Sequence, residues 1–536
     1  MRSCLGSAPL LDNNRLEPKQ RLAITYDASE SLETCLPHGV TCKRPDGPYR
    51  LKMLHLDHAT HLRLIVISGL LLSACSSPQA ETGDPRSSRR HVLLVTVDTL
   101  RADYLSVNGY ELPTTPFVDS LLESGVHFSN TVAPVPRTTQ ALASLLTGSY
   151  PHTTGVRTLY DRLAPQVVTV AEMLQERRYT TLAVVSNHVL IPERGLDRGF
   201  DVYDFADDAR DAASTNEAVF KHLADRSPEE RLFLWVHYID PHVPYFPPPD
   251  LAAAFDPEYR GRYTLNFGTL KGGVGDLAYP ADLPKEQAVF RNRLPPRVNA
   301  HIRRLYAADI RFTDDQIRKL VEGLRDGLGD DWLIVFTADH GESLGEHDFY
   351  YDHGDYVYNA GLRVPLGIVL PPADPMRRTR TVDDWVSLVD VTPTLMELLA
   401  LPMLAGSTHA VEGRSLVPYL EGKDMAPRAV FAECGRSFYP RLIRRRLRFD
   451  LAGRFRTIVL GDWKLIWTPA QSAELEFELY NLNDDPNETD NLYVPGHREA
   501  ERLKALLRLW LQPGNDGPAA LTEDDAQRLR SLGYVR

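Results

Sequence analysis

The alternation of short apolar segments with helical stretches, which begins at His91, constrains the fold more than any other feature of the sequence. Nearly continuous runs of Val, Leu and Ile predict strands, and apolar residues repeated about every 3.6 positions predict helices. The predicted strands are His91–Val97, Thr180–Val185, Arg231–Val236, Trp332–Thr337 and Val364–Leu370. The predicted helices include Thr138–Thr147, Val168–Arg177, Arg303–Gly323 and Val391–Leu399. Such strands suit a mostly parallel sheet sandwiched by helices, so the sequence predicts an α/β fold.

Polar residues directly follow four of the predicted strands. In chain order they are Asp98, then Ser186-Asn187-His188, then His237 with Asp240 and His242, and finally Asp339-His340. Ligands of open α/β sheets bind outside the carboxyl ends of the strands. We therefore expect these side chains to converge on one crevice.

The charge balance limits the class of partner. The chain has 536 residues and a formal net charge of −12, with a pI near 5.8. Nucleic-acid-binding proteins usually carry a basic stripe, so this balance argues against nucleic acid as a partner. A local cationic site for an anionic substrate remains compatible with it.

A short apolar stretch, Leu62–Leu72, precedes Ser73-Ala74-Cys75. It is too brief to span a bilayer as a mature helix and resembles the bacterial lipobox, in which the Cys receives lipid. The alternative is a buried strand of a folded domain. We predict a lipoprotein signal peptide over residues 53–75 and a small, polar, flexible tether over residues 76–90. Residues 1–52 then form a doubtful upstream extension, since they show no regular apolar period.

A lipidated Cys75 places the protein in the cell envelope, on the outer membrane or facing the periplasm. The protein is then membrane-anchored through that lipid. Cys434 becomes the only cysteine downstream of the anchor, so no disulfide framework is expected.

The composition changes after about residue 425, where Arg-rich and β-prone segments begin. We predict a catalytic domain over residues 91–425 and a C-terminal subdomain with its tail over residues 426–536. The subdomain is predicted to contain antiparallel strands within Leu442–Phe449 and Phe455–Ile466 and a helix at Arg498–Leu511. The polar tail, residues 515–536, is predicted to pack back as a last helix.

The Asp339-His340 pair and Asp98 provide ligands for a divalent ion at the strand ends. Carboxylate, imidazole and hydroxyl donors suit Mn²⁺, Mg²⁺, Ca²⁺ or Zn²⁺ rather than Cu(I) or an iron–sulfur cluster. An Asp-His pair on its own is more often part of a surface turn than of a metal site, so the surrounding motifs decide between these two interpretations.

Three motifs, in matching order, resemble those of the sulfatase family in the alkaline-phosphatase superfamily. They are the runs Val95–Asp103, Thr138–Gly155 and Thr337–Pro365. The second contains Leu145-Leu146-Thr147-Gly148 followed by Tyr150-Pro151-His152, which is similar to that family's signature. Val411–Leu416 and Leu479–Leu482 resemble its C-terminal landmarks. The resemblance extends from His91 to the end and implies a metal-dependent ester hydrolase with a small antiparallel C-terminal subdomain.

Several positions depart from the family pattern. Thr138 stands where a Cys or Ser is converted to formylglycine, and Gln140 and Leu142 replace the accompanying Pro and Arg. The resemblance therefore implies that Thr138 attacks directly and forms a covalent enzyme ester, as in phosphodiesterase and phosphoethanolamine-transferase branches. Thr99 replaces a second metal-binding Asp, and Asp339-His340 replaces Asp-Asn, as in phosphonate monoester hydrolases.

The resemblance also assigns roles to individual residues. One divalent ion is expected on Asp98, Thr138, Asp339 and His340, and a second ion on Asp240 and His242 is left open. The expected residues near the ester are His353 at the oxyanion, His242 at the leaving group, and His188 and Arg137 as substrate-binding side chains. The structural alternatives are a helix N-cap for Thr138 and ordinary hydrogen bonding for each histidine.

The leading hypothesis is hydrolysis of an anionic sulfate or phosphate ester, carried by a glycan or a lipid. A phosphoethanolamine-type transferase and a non-catalytic glycan-binding surface lipoprotein are the alternatives. Because a Thr ester must be cleaved by a second attack at the central atom, whereas a formylglycine hydrate collapses to an aldehyde, we expect better turnover of phosphate than of sulfate esters.

Overall fold

A computed structural model describes residues 91–511 except 160, 207–209, 225, 228, 261–295, 349, 405–406, 408–409, 435–454 and 469–475. The predicted upstream extension, signal peptide with Cys75, and tether lie outside these residues. So do the predicted strand Leu442–Phe449 and the predicted tail helix. Within the part of the chain that is described, we find no helix that is both long and apolar enough to cross a membrane.

The strands form a large central sheet, a small C-terminal sheet and a two-stranded ribbon. Their bounds are β1 His91–Val97, β2 Val126–Val132, β3 Thr180–Val185, β4 Val202–Phe205, β5 Leu232–Tyr238, β6 Trp332–Ala338, β7 Ser343–Leu344, β8 Tyr350–Asp352, β9 Arg363–Val369, β10 Arg380–Val382, β11 Val386–Ser387, β12 Val430–Glu433, β13 Arg456–Leu460, β14 Trp463–Trp467 and β15 Phe477–Asn481. The central sheet has the order β10-β2-β9-β6-β1-β5-β3-β4, and β11 also pairs with β2. Its pairings are parallel except that β9 runs antiparallel to both β2 and β6.

Helices connect and cover these strands. Their bounds are α1 Pro116–Glu123, α2 Thr138–Thr147, α3 Pro151–Thr154, α4 Val170–Glu176, α5 Ala212–Leu223, α6 Pro249–Phe255, α7 Pro296–Leu328, α8 Asn359–Leu362, α9 Val391–Leu398, α10 Val417–Leu420 and α11 Arg498–Trp510. Short 3-10 turns occur at Ala102–Tyr104, Ser106–Asn108, Pro192–Arg194, Glu346–Asp348 and Leu388–Asp390.

The predicted fold class is confirmed. All seven residues of β1 are buried, as expected for a central strand covered on both faces. The strands β1 and β3 and the helix α2 have the predicted bounds. Helix α7 is longer than predicted, because Gly323 does not end it. A Cβ atom at Gly323 would lie 2.6 Å from the Phe220 ring, so the missing side chain makes room for that ring.

The C-terminal subdomain is an antiparallel sheet, β12-β13-β14-β15, packed against α11. The predicted segment Phe455–Ile466 is a hairpin of two strands, because Gly461 adopts a left-handed conformation with φ 59° and reverses the chain. A separate apolar cluster joins this sheet to α11 through Ile458, Leu465, Leu479, Leu503 and Leu507. The predicted appendage of antiparallel strands and a helix is therefore present.

Candidate active site

The carboxyl ends of three neighbouring strands place acidic and imidazole side chains together. In the parallel register, Val97 of β1 lies opposite Tyr238 of β5 and Ala338 of β6. Asp98 and Asp339 therefore leave the sheet at the same level, one strand apart. Ligand atoms of Asp98, His237 and Asp339 all lie within 4.8 Å of one another, and the three residues are buried. The predicted convergence at the strand ends is present.

Asp98 is fully buried and surrounded by nitrogen atoms. The side-chain amide of Asn187 donates a hydrogen bond to Asp98 Oδ2 at 2.5 Å, and His237 Nε2 lies 3.5 Å from the same oxygen. Burial alone would raise the pKa of Asp98, but the charge of His242 and the adjacent His237 imidazole outweigh it and lower the pKa to about 2. Asp98 is thus held as a carboxylate.

Asp339 is a buried carboxyl beside that charge. Its Oδ1 accepts hydrogen bonds from the backbone N–H groups of Thr99, at 3.1 Å, and His340, at 2.7 Å. Burial, and then the negative charge of Asp98, raise the pKa of Asp339 well above the usual range. Two adjacent carboxyl groups with pKa values displaced in opposite directions need an added positive charge before both can ionise.

His340 presents a lone pair to this cluster. Its Nδ1 lies 2.9 Å from the carbonyl oxygen of Gly341, which can only accept, so Nδ1 carries the proton. The unprotonated Nε2 lies 3.7 Å from Asp98 Oδ1 and 3.5 Å from Asp339 Oδ2. Burial lowers the pKa of His340 to about 4, so the ring is neutral at physiological pH. A neutral imidazole is the form that binds metals.

Three buried atoms here have no hydrogen-bond partner: Asp98 Oδ1, Asp339 Oδ2 and His237 Nε2. Leaving buried polar atoms unpaired is costly, and a divalent cation would satisfy all three. The donor set is also of the type that Mn²⁺, Mg²⁺, Ca²⁺ and Zn²⁺ accept. The residues present therefore fit a divalent ion.

Thr138 lies at the edge of the same cluster. Its Oγ1 is 3.2 Å from His340 Nε2, and the side chain is 3% exposed. Thr138 is the first residue of α2, and Arg137, in an extended conformation, occupies the N-cap position. The hydroxyl thus lies at a helix N-terminus, where the helix dipole favours negative charge. The N-cap alternative for Thr138 does not describe this geometry.

His242 and His353 adjoin this site. The ring of His353 lies 4.4 Å from that of His340 and 5.1 Å from that of His242, measured between centroids. His353 Nδ1 is 3.1 Å from Glu342 Oε1, and His242 Nδ1 donates to the carbonyl oxygen of Val243. Each ring is thereby oriented through Nδ1, which leaves Nε2 for contact with a ligand. Burial lowers the pKa of His353 well below the usual range.

The two predicted substrate-binding residues differ in position. The Arg137 guanidinium lies across Gly354, where a Cβ atom would come 1.7 Å from Arg137 Nε. A guanidinium nitrogen of Arg137 is 3.9 Å from Asp355 Oδ1. Arg137 therefore packs on the loop that carries His353. His188 is exposed, and its neighbour Asn187 is the residue that contacts Asp98.

Sequence reasoning placed His237 and Asn187 at strand ends but gave neither a role. The signal for His237 was its register, because Thr96 and His237 are paired across β1 and β5. Thr96 Oγ1 accepts a hydrogen bond from Trp235 Nε1, can donate to the Val236 carbonyl, and lies 2.9 Å from His237 Nδ1. Because the Thr96 hydroxyl donates its proton to the Val236 carbonyl, Thr96 Oγ1 accepts a hydrogen bond from His237 Nδ1–H. His237 Nε2 is then unprotonated and can bind a metal.

The suggested second ion gains less support. Asp240 Oδ2 accepts a hydrogen bond from the Ala212 backbone at 2.7 Å, and burial raises the pKa of Asp240 to about 7. In the described ranges, Asp98, His237 and Asp339 form the one group of three or more His, Cys, Asp or Glu ligands with metal-binding spacing. Asp240 and His242 do not belong to it.

Two family models match the chain. The model described as Sulfatase matches residues 90–401, and that described as N-sulphoglucosamine sulphohydrolase, C-terminal, matches residues 345–512. The uncharacterized sulfatase YidJ of Escherichia coli (strain K12) is 25% identical over 450 residues, 75% of this chain and 83% of that protein. The N-acetylglucosamine-6-O-sulfatase of Bacteroides thetaiotaomicron is 23% identical over 522 residues, 83% of this chain and 89% of that protein.

Solved structures share the fold. The phosphonate monoester hydrolase of Agrobacterium radiobacter has a TM-score of 0.62 at 21% identity, covering 79% of this chain and 95% of that one. BT4656 in complex with its substrate, D-glucosamine-2-N,6-O-disulfate, also has a TM-score of 0.62, at 20% identity, covering 78% of this chain and 97% of that one.

Proposed function

Because the chain belongs to the sulfatase family and is a hydrolase of sulfuric or phosphoric esters, we propose that it cleaves its substrate through a covalent ester on Thr138. The observation that carries this proposal is the 3.2 Å contact of Thr138 Oγ1 with His340 Nε2, beside the buried carboxyl groups of Asp98 and Asp339. A hydroxyl, a helix N-terminus and a fitting metal site meet at one point.

The sulfatase family generally uses a divalent metal ion. The residues that would hold such an ion here are Asp98 and Asp339, with His237, His340 and Thr138 Oγ1 as further candidate donors. When bound, such an ion draws charge from the ester oxygens and favours the alkoxide form of a coordinated hydroxyl.

The side chains divide the remaining work. Thr138 Oγ1 loses its proton to solvent and attacks the central sulfur or phosphorus atom. The bond from that atom to the leaving oxygen breaks, and the leaving oxygen takes a proton from His242. The N-terminus of α2, with Arg137 and His353, stabilises the negative ester oxygens. Water then attacks the same central atom, and the bond to Thr138 Oγ1 breaks to release sulfate or phosphate. One proton of that water returns to Thr138 Oγ1 and the other to His242.

Sulfate esters of glycans are one proposed substrate class, since relatives include an N-acetylglucosamine-6-O-sulfatase. The direct Thr138 nucleophile is also compatible with phosphate esters, and its two-step route favours phosphorus over sulfur. The comparisons favour neither the transferase nor the non-catalytic alternative. Catalytic efficiency on matched aryl sulfate and aryl phosphate pairs measures this preference. We expect the phosphate to react faster, and a faster Thr138-dependent sulfate reaction would reverse the preference without changing the nucleophile.

The test of the nucleophile compares two adjacent buried threonines. Thr138→Ala should abolish hydrolysis of sulfate and phosphate monoesters, phosphodiesters and phosphonates across the four metals. Thr139→Ala is the matched control, because Thr139 Oγ1 is directed to the Val189 carbonyl, at 3.5 Å, and should retain activity. Equal activity in the wild type and Thr138→Ala would reject the covalent mechanism.

We also propose that Cys75 is lipidated and anchors the protein to the cell envelope. The support is the sequence Leu72-Ser73-Ala74-Cys75 after an apolar stretch, followed by a small and polar tether. A fatty-acid probe should label the wild type and leave Cys75→Ser unlabelled. Equal labelling of both proteins would remove the basis for the anchor.

A further inference from the structure

A buried ion pair lies in the C-terminal subdomain, away from the candidate ligands. Lys464 Nζ is 2.5 Å from Glu488 Oε1, and the two side chains are 0% and 2% exposed. Lys464 is the second residue of β14, and Glu488 follows β15 with a positive φ of 58°. Burying two charges is expensive unless further hydrogen bonds complete them. The partner that completes this pair comes from the catalytic domain.

That partner is Asn359, the first residue of α8. Its Oδ1 accepts a hydrogen bond from Lys464 Nζ at 2.8 Å, and its backbone N–H donates to Glu488 Oε2 at 2.6 Å. The preceding residue, Tyr358, donates its hydroxyl to Glu478 Oε2 at 2.8 Å. The start of α8 is therefore held by side chains from three separate segments of the C-terminal subdomain. We refer to Lys464, Glu488 and Asn359 as the clamp.

The other side of α8 faces the segment that carries His340. The backbone N–H of Gly341 donates to the Gly361 carbonyl at 2.9 Å. A Cβ atom at Gly341 would lie only 2.1 Å from the Ala360 carbonyl oxygen, so the two backbones are as close as a glycine permits. The Gly341 carbonyl in turn accepts from His340 Nδ1, which directs Nε2 toward Thr138.

The same helix also touches the segment that leads to Thr138. A Cβ atom at Gly361 would lie 3.3 Å from Cβ of Pro136, two residues before Thr138. The Ala133 backbone N–H donates to the Leu362 carbonyl at 2.8 Å. A displacement of α8 would therefore move the histidine and the threonine segments with respect to each other.

We propose that Lys464 and Glu488 are positioning residues, which set the distance between His340 and Thr138 through α8. The proposal rests on the proposed function where its readout is activity. Neither residue touches the substrate or the ion. Their effect comes from fixing a short helix that contacts both catalytic segments, and a shift of about 1 Å in such a contact can cost about 100-fold in rate.

The test separates positioning from charge compensation. Lys464→Met leaves Glu488 without its partner, whereas the double variant Lys464→Met/Glu488→Met removes both charges. We expect the double variant to regain most of the stability that the single variant loses in urea unfolding. We expect kcat to remain about 10- to 100-fold below the wild type in both, with little change in KM. Recovery of kcat together with stability would show that the pair acts only on folding.

Lys504→Met is the matched control. Lys504 lies in the same subdomain, is 8% exposed and pairs with Glu501 at 3.0 Å, but α8 is not among its hydrogen-bond or ion-pair partners. It should retain kcat within about twofold of the wild type, since substitutions at sites that share no partner usually act independently. An equal loss of kcat in this variant would overturn the proposal.

A second readout does not depend on ester hydrolysis. Hydrogen exchange of the Gly341 amide, which is bonded to Gly361, should accelerate in the double variant and remain unchanged in Lys504→Met. Unchanged exchange in the double variant would overturn the clamp itself. If the wild type hydrolyses no ester while exchange responds as expected, the proposed function fails and the clamp stands.

Discussion

Two clusters of buried charge among the described residues are completed in different ways. In the clamp, Lys464 and Glu488 carry opposite charges and pair within the chain. Burial lowers the pKa of Lys464 and raises that of Glu488, while their mutual attraction opposes both shifts. At the strand ends, Asp98 and Asp339 are both acidic and would carry charge of the same sign when ionised, and Asp98 Oδ1 and Asp339 Oδ2 have no hydrogen-bond partner.

A structural buried charge can be distinguished from a functional one by whether the charges of its cluster cancel within the chain. A cluster whose charges cancel is complete once the chain has folded, and altering one member leaves the other uncompensated. A cluster with excess negative charge is incomplete until a cation binds. Its cost to the stability of the metal-free protein is retained because the metal-bound form is the functional one. Four changes test this contrast.

The largest effect is expected from removing a carboxylate of the strand-end cluster. Asp98→Ala or Asp339→Ala should lower kcat/KM by about 10⁴-fold, because members of one catalytic unit fail together. Each variant should also lose its divalent ion. Elemental analysis of purified protein measures the ion alongside the kinetic assay. Unchanged metal content in both variants would reject this site.

The next effect concerns the clamp alone. Glu488→Gln removes one charge from a fully buried pair and should reduce the free energy of unfolding by about 3–5 kcal/mol. Urea unfolding measured in excess chelator excludes any contribution from an ion. Glu501→Gln, whose side chain is half exposed in its pair with Lys504, should cost under about 1 kcal/mol. Similar losses in the two variants would mean that burial does not distinguish these pairs.

Removal of the ion should have an intermediate effect. A ligand at 100 times its Kd stabilises the folded state by about 2.7 kcal/mol, so chelation should lower Tm by a few degrees. The wild type should recover on addition of Mn²⁺, and Asp98→Ala should show no response to chelator or metal. A wild-type Tm that is independent of chelator would leave the strand-end cluster without the cation that it is inferred to need.

The sequence predicted the strands and helices that carry the site better than it predicted which side chains meet there. The bounds of β1 and α2 follow from local apolar patterns, and both elements carry key residues directly, Asp98 after one and Thr138 at the start of the other. The role of His237 depends on the alignment of β5 with β1, which no local pattern contains. The sequence assigned a substrate-binding role to His188, but its neighbour Asn187 is the residue that contacts Asp98. Local patterns do not show which of two adjacent side chains faces the site.

Sequence patterns did not predict the antiparallel direction of β9 or the clamp, because both depend on contacts between segments that are distant in the sequence. Val, Leu and Ile runs identify a buried strand but do not specify its direction. The clamp joins Asn359 to Lys464 across 105 positions, and each residue alone reads as an ordinary polar side chain. Long-range pairing of this type is decided by packing rather than by periodicity.

The smallest effect gives the sharpest contrast, because it reverses sign between the clusters. Asp339→Asn keeps an oxygen that accepts from the Thr99 and His340 backbones, and places an amide where Oδ2 now lies, 3.5 Å from His340 Nε2. In excess chelator this substitution should raise the free energy of unfolding by about 1 kcal/mol. The metal-free Asp339 must either carry a like charge beside Asp98 or take up a proton, and the amide does neither. With Mn²⁺ present the order should invert, because the variant has lost a charged ligand and the wild type gains from binding. Urea unfolding of both proteins under both conditions measures the four free energies. If Asp339→Asn destabilises the metal-free protein as Glu488→Gln does, the two clusters are alike and the excess charge at the strand ends needs another explanation.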